Sequence, residues 1–222
     1  MIDTRVMHLA DSGLPTGAYV YSNGLESAAK MGLFQDRADF AAYLQSIQQQ
    51  FGSFDIPFIA SSFRLAEPLT GADLQAMVEE YDAATPIPSI RRASITQGET
   101  WLRVLDGFYP EAGIGELLRW LRDEELPAHY CITFGLSLRL AGYTLETAAD
   151  LYRFCGVRDQ ISVAVRLGLF GPTEGHRLLH RFCETDVATD ADADYRNAIR
   201  LCPLLDIAQA RHPHVYAKLF QN

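Results

Sequence analysis

DSGLPTGAYVYSNGLE, residues 11–26, holds a turn, a short aromatic run and the start of a helix. Asp11 and Ser12 can accept hydrogen bonds from neighbouring backbone N–H groups. Pro15 fixes its own φ, and Gly13 and Gly17 supply backbone freedom that other residues lack. Asn23 is a preferred N-cap residue, and Glu26 stands three positions on, where a capping box places its carboxylate. Gly32 then suits the helix stop. Tyr19, Val20 and Tyr21 are too apolar for an idle loop, and are expected to pack against the rest of the chain or against a partner. On local chemistry the stretch is a joint between two helices.

Outward from this joint, nearly every apolar pattern has helical period. Phe40, Leu44, Ile47 and Phe51 recur at helical spacing after a cap at Asp36. A segment over residues 53–66 puts Asp55 and Pro57 in its first turn, where both are tolerated, and turns Phe54, Phe58 and Leu65 inward. Thr70 is expected to cap a third pattern through Leu74, Met77, Val78 and Tyr81. The TPIP run at 85–88 breaks the chain before a long helix with Ile90, Ala93, Gln97, Trp101 and Leu105 along one side. After a loop at 107–115, a short amphipathic helix carries Leu117, Leu118 and Leu121. Pro127 opens another through Tyr130, Phe134 and Leu138 that ends at Gly142. Thr144 begins the longest pattern, Leu145 to Leu167, in which Gly156 marks a bend or a close helix contact. Residues 184–194, ETDVATDADAD, read as a flexible acidic loop. Its spaced aspartates imitate a calcium loop, but Tyr195 and Leu201 stand where such a loop needs glycine and glutamate.

No segment reads as a strand. The expectation is an all-α fold: one domain over residues 1–222, a bundle of roughly ten helices. A C-terminal tail, residues 203–222, is expected to dock on a partner.

The 222 residues are 48% hydrophobic, ample for one core, and carry a net charge of −9. That balance argues against nucleic acid or an anionic membrane as partner, since both call for a basic face. No apolar run approaches the roughly 20 residues of a spanning helix. The opening MIDTRVMHLADS lacks a signal peptide's apolar stretch, so a cytoplasmic protein is expected. Cys131, Cys155, Cys183 and Cys202 are widely spaced and read as buried or free thiols rather than a disulfide framework.

Three blocks resemble the UreF family of urease accessory proteins. The first is the opening stretch, where Asp11, Ser12, Leu14, Pro15, Gly17, Ser22, Gly24, Leu25 and Glu26 fall in the family's pattern without a gap. Ala18 and Asn23 stand where the family often has glycine and histidine. The second runs from Ala164 to Arg177. Ala164, Arg166, Leu167, Gly171, Thr173 and Gly175 match there, while Leu169, Phe170, Pro172 and His176 depart from the family's proline, leucine and two glutamines. Locally, Gly171 can end one helix and Pro172 open the next. The third, PLLDIAQARHPHVYAKLFQN at 203–222, keeps Pro203, Leu205, Asp206, Ile207, Arg211, His212, Tyr216, Leu219 and Phe220, with Pro213 and Lys218 as departures.

The resemblance implies a homodimeric accessory protein that is no enzyme and carries no cofactor or metal of its own. It implies a bridge between the accessory protein UreD (also called UreH) and the GTPase UreG, assisting nickel delivery to apo-urease. Tyr19, Tyr21, Glu26, Arg211, His212, Tyr216, Leu219 and Phe220 are the expected partner contacts. Asp11, Ser12, Pro15, Gly17, Ser22, Gly24, Arg166, Gly171, Thr173 and Gly175 are the expected structural motif. Glu26 has two readings, a helix cap or a contact to a partner G protein. Arg166 is either a paired, snorkelling arginine or the organiser of the 171–175 turn.

No phosphate-binding loop, nucleophile elbow or HExxH motif is present. His176 and His180 stand at i, i+4 with Cys183 three further on, a spacing that could place a zinc or nickel ligand set on one helix face. A small metal-binding helical enzyme is therefore one alternative. A helical scaffold repurposed for another system is the other.

Overall fold

The computed structural model describes residues 3–67, 69, 71–185 and 187–221. Its α-helices are α1 (Thr4–Leu9), α2 (Leu25–Lys30), α3 (Arg37–Gln50), α4 (Ile56–Arg64), α5 (Ala72–Ala83) and α6 (Pro88–Phe108), followed by α7 (Ile114–Asp123), α8 (Tyr130–Leu140), α9 (Leu145–Arg166), α10 (Pro172–Cys183) and α11 (Pro203–Arg211). No strand occurs among the described residues, and the fold is all-α as the periodicity predicts.

Capping chemistry sets many of the boundaries. Asp36 accepts from the Ala38 and Asp39 N–H groups at the start of α3, and Thr144 accepts from Thr147 N–H at the start of α9. Pro88 and Pro172 occupy first turns, where the missing N–H costs nothing. At the end of α2, Gly32 has φ +72°, and Leu33 N–H and Gly32 N–H donate to the carbonyls of Ala28 and Ala29. Those two bonds close the helix, as the position of Gly32 predicts. Thr70, the expected cap of α5, lies outside the described residues.

Some boundaries differ from expectation. Asn23 does not cap α2. It takes a left-handed conformation at φ 49°, and Gly24 at φ 90° holds the cap position. The reason is tertiary: a Cβ at Gly24 would lie 2.7 Å from Gln209 Cγ and 3.2 Å from the Gln209 backbone nitrogen. Gly168, not Gly171, closes α9, while Gly171 precedes α10. The segment expected over residues 53–66 is α4 at Ile56–Arg64, with Pro57 in its first turn, but it starts later than expected because α3 runs into it through a π turn at Phe51–Asp55. Phe51 lies on α9 there, and a Cβ at Gly156 would meet the Phe51 ring at 2.4 Å. Gly156 therefore marks a close contact.

Helix α9 is packed on α2, α3, α4, α8 and α10. The larger hydrophobic cluster gathers Phe54, Phe58, Met77, Trp101, Leu105 and Phe134. A second cluster lies on the other part of α9 and joins Leu25, Phe40, Ile47, Ile161 and Leu178 to Phe220 from the tail. The acidic loop is also tied down. Arg153 donates to the Val187 carbonyl and to Thr189 Oγ1, and Arg64 donates to the carbonyls of Ala191 and Ala193. No helix among the described residues is long and apolar enough to cross a membrane.

Candidate functional site

The chain folds its last residues back onto its opening stretch, and Glu26 is the hinge pin. Its side chain is fully buried. Four donors converge on it: Leu219 N–H at 2.8 Å, His212 Nε2 at 3.1 Å, Lys30 Nζ at 3.1 Å and Phe220 N–H at 3.2 Å. Burial alone would push this carboxyl up. The hydrogen bonds from Leu219, His212, Lys30 and Phe220 outweigh it and hold the group below its usual value. Lys30 Nζ also donates to the carbonyls of Tyr216 and Ala217, at 2.9 and 2.7 Å. One i, i+4 acid–base pair on α2 therefore grips both polarities of the tail backbone. Glu26 is not part of a capping box.

Arg166, at the end of α9, completes the grip. Its guanidinium lies 3.9 Å from the Tyr19 ring centroid and 4.3 Å from that of Phe220, and Nη1 donates to the Tyr19 carbonyl at 2.7 Å. Such a cation–aromatic sandwich attracts from both faces. Gln221 N–H donates to the Val20 carbonyl at 2.8 Å. Gln209 Nε2 donates to the Asn23 carbonyl, and Gln160 Nε2 to that of Ser22. The three separated sequence blocks thus meet in one place.

The sequence-derived site residues divide by exposure. Tyr21, Glu26, His212 and Phe220 are buried, whereas Tyr19 is 66% exposed, Leu219 70% and Tyr216 94%, and Arg211 is exposed as well. The buried set holds the tail and the exposed set faces outward. Among the motif residues, Asp11 Oδ1 accepts from Gly13 N–H, and Gly17 sits at φ +79° in open space. Ser12 and Pro15 are exposed on the same loop, and Ser22 is buried beneath it. Gly171 accepts from the Glu174 and Gly175 N–H groups, with Thr173 exposed in that turn. A Cβ on Gly175 would come within 3.0 Å of Ile161 Cγ2, so Gly175 lets α10 lie close on α9. Arg166 serves the opening stretch and the tail through Tyr19 and Phe220.

His176, His180 and Cys183 are exposed along α10, and His180 faces Glu184 at 3.5 Å. Among the described residues no three metal-ligating side chains come together. Local patterns do not reveal a further cluster. His129, fully buried, bonds Asp82 through Nε2 at 2.8 Å and Ser94 Oγ through Nδ1 at 3.2 Å. Tyr130 N–H donates to the same Ser94 oxygen. The row joins α5, α6 and α8.

The UreF family model matches residues 34–183, most of the chain. The chain belongs to the UreF family. It is 31% identical over 217 residues to the urease accessory protein UreF of Mycobacterium marinum, covering 98% of this chain and 97% of that one. It is 30% identical over 217 residues to urease accessory protein F of Oryza sativa subsp. indica, covering 96% and 82%. Against the Arabidopsis thaliana protein of the same name the figures are 28% over 220 residues, 96% and 89%. All three relatives carry the name of urease accessory proteins.

Proposed function

We propose that this UreF-family protein is a non-catalytic accessory protein in urease maturation, bridging UreD/UreH and the GTPase UreG. In this reading it works in the cytoplasm as a homodimer, and assists nickel delivery to apo-urease without a cofactor of its own. It binds neither nucleic acid nor membrane. Family membership supports the urease setting. The observation that carries the bridging role is the division of the tail: Glu26, His212 and Phe220 hold it from inside, while Tyr216, Leu219 and Tyr19 turn apolar surface outward. Aromatic and aliphatic side chains displayed on a fixed backbone are suited to anchor a partner.

The test is capture by a cognate UreD, followed by recruitment of UreG to that complex. The double variant Tyr216→Asp, Leu219→Asp should unfold at the wild-type temperature and lose at least tenfold in capture, the scale of a lost interface anchor. Undiminished capture would move the contact off the tail. Failure of the wild-type protein with a verified cognate pair would favour a scaffold serving another system.

A further inference from the structure

Between the π turn, α6, α9 and α11 lies a cavity of about 160 Å3. Of the four glutamines in its wall, Gln50 and Gln209 are each only 8% exposed. Gln50 Oε1 accepts from the N–H groups of Leu201 and Cys202, at 3.0 and 3.3 Å. Its Nε2 is buried and has no hydrogen-bond partner among the described residues. Gln209 Nε2 donates to the Asn23 carbonyl, and its Oε1 is likewise buried and unmet among the described residues. Neither amide can be turned round. Flipping Gln50 would set an NH2 against two N–H donors, and flipping Gln209 would set an oxygen against a carbonyl. The wall therefore presents one fixed donor and one fixed acceptor, both desolvated. Such groups are costly to leave unmet.

The rest of the lining narrows the class of ligand. Phe51 and Tyr81 contribute aromatic surface, while the charged lining residues are Asp55, Asp159 and Arg200, with Asp159 paired to Arg158, so neither a cation nor an anion is favoured. In volume the space compares with an engineered cavity of about 150 Å3 that holds a six-carbon ring, and exceeds the roughly 30 Å3 share of one water. We propose that this cavity binds a small neutral amide, a primary carboxamide or urea of about four to six non-hydrogen atoms. Its carbonyl accepts from Gln50 Nε2 and its N–H donates to Gln209 Oε1. The proposal goes beyond the accessory role and does not depend on it.

The test is ligand-observed saturation-transfer NMR on the full chain with acetamide, urea and acetone, at millimolar concentrations far below those that denature. Acetamide, urea or both should saturate one site. The arm that binds identifies the class, and cross-competition shows whether the two share the site. Acetone, an acceptor of similar size without an N–H, should bind about tenfold more weakly, as one lost hydrogen bond implies. Gln50→Glu keeps the oxygen that serves Leu201 and Cys202 but removes the donor, and should weaken binding about tenfold. Ile90→Trp, on the same wall, should abolish binding by filling the space. Thermal unfolding of each unliganded variant shows whether it folds. If either fails to fold, the amide-to-acetone ratio on the wild-type protein decides. The proposal is overturned by no saturable binding of either amide, by acetone equal to acetamide, or by a folded Ile90→Trp that binds as well as wild type. Crystals grown with acetamide that show only ordered water between Gln50 and Gln209 would overturn it too.

Discussion

Among the described residues two carboxylates, Glu26 and Asp55, are buried, and they are treated in opposite ways. Glu26 is met by four donors, two of them backbone N–H groups of the tail, and stays ionised below its usual range. Asp55, in the π turn, accepts from the Tyr81 hydroxyl at 3.1 Å, and burial outweighs the nearby Arg200, so its carboxyl is pushed up to about 6. Burial itself therefore decides neither outcome. What decides is whether the surroundings supply enough donors to replace water. Around Glu26 the cost of burial is offset by an ordered tail. Around Asp55 it remains as a charge that the fold disfavours.

The largest expected effect follows from removing the charge at Glu26. On a capping-box reading Glu26→Gln would cost a few tenths of a kcal/mol. In this structure the substitution leaves Lys30, His212 and two backbone N–H groups facing a neutral amide, one of whose ends is itself a donor. The expected loss is about 3 kcal/mol, as for a broken buried pair. Thermal unfolding measures it, and limited proteolysis should show cleavage within 212–221. Stability within 0.5 kcal/mol of wild type would mean that the tail is held by Phe220, Arg166, Lys30 and the Gln221–Val20 bond without the Glu26 charge.

Asp55→Asn should act in the other direction. A folded-state value of about 6 against 3.8 unfolded means that the unfolded chain gives up this proton more readily, so the ionised aspartate weighs against folding above pH 6. The asparagine variant should be more stable than wild type by up to roughly 3 kcal/mol at pH 8, with the difference shrinking towards pH 4. A destabilised variant at pH 8 would show that the charge is needed against Arg200.

Acidification then separates the two groups within the native chain. As pH falls from about 6 to 4, the penalty at Asp55 lifts and stability gains. Glu26 works the other way: its contribution is complete above the unfolded value of 4.5 and is lost as pH falls through its lower folded value. Tail cleavage by an acid-active protease should therefore begin only below about pH 4.5, while melting measured at pH 5 should exceed that at pH 7. Cleavage that sets in between pH 7 and 5 would show that loss of the Glu26 charge is not what releases the tail.

The smallest effect belongs to the outward face. Tyr216→Ala should change folding stability by no more than about 0.5 kcal/mol, since its side chain is exposed. A larger loss would place Tyr216 in the grip rather than on the display surface.

The helices were legible because their information is local. Asp36 and Thr144 cap where their side chains suggest, and the apolar periods find the core faces of α5, α6 and α8. The boundary at Gly24 was not, because a close approach by Gln209 chose glycine there over the better local cap at Asn23. The π turn was hidden for the same reason, since Phe51 and Gly156 reshape the backbone through a contact 105 positions apart in the numbering. The opening stretch and the tail could each be singled out by resemblance. Their meeting could not be read from either, because the bonds that join them span 186 to 201 positions. The pair Glu26 and Lys30 was visible as an i, i+4 spacing, which reads as a surface salt bridge until a third segment covers it.

The span between Glu26 and Leu219 also sets a schedule for biosynthesis. The two are 193 residues apart, and a ribosome adds roughly 5–20 residues per second, so the carboxylate emerges about 10–40 s before its backbone donors exist. During that interval α2 has no way to bury Glu26 with its full set of partners, and the cluster around Leu25 and Phe40 lacks Phe220. Closure of this half of the protein thus waits until the tail has been made. A chain that stops before residue 219 would hold nearly all these helices and an open, charged seam around Glu26, a form that quality-control proteases can recognise.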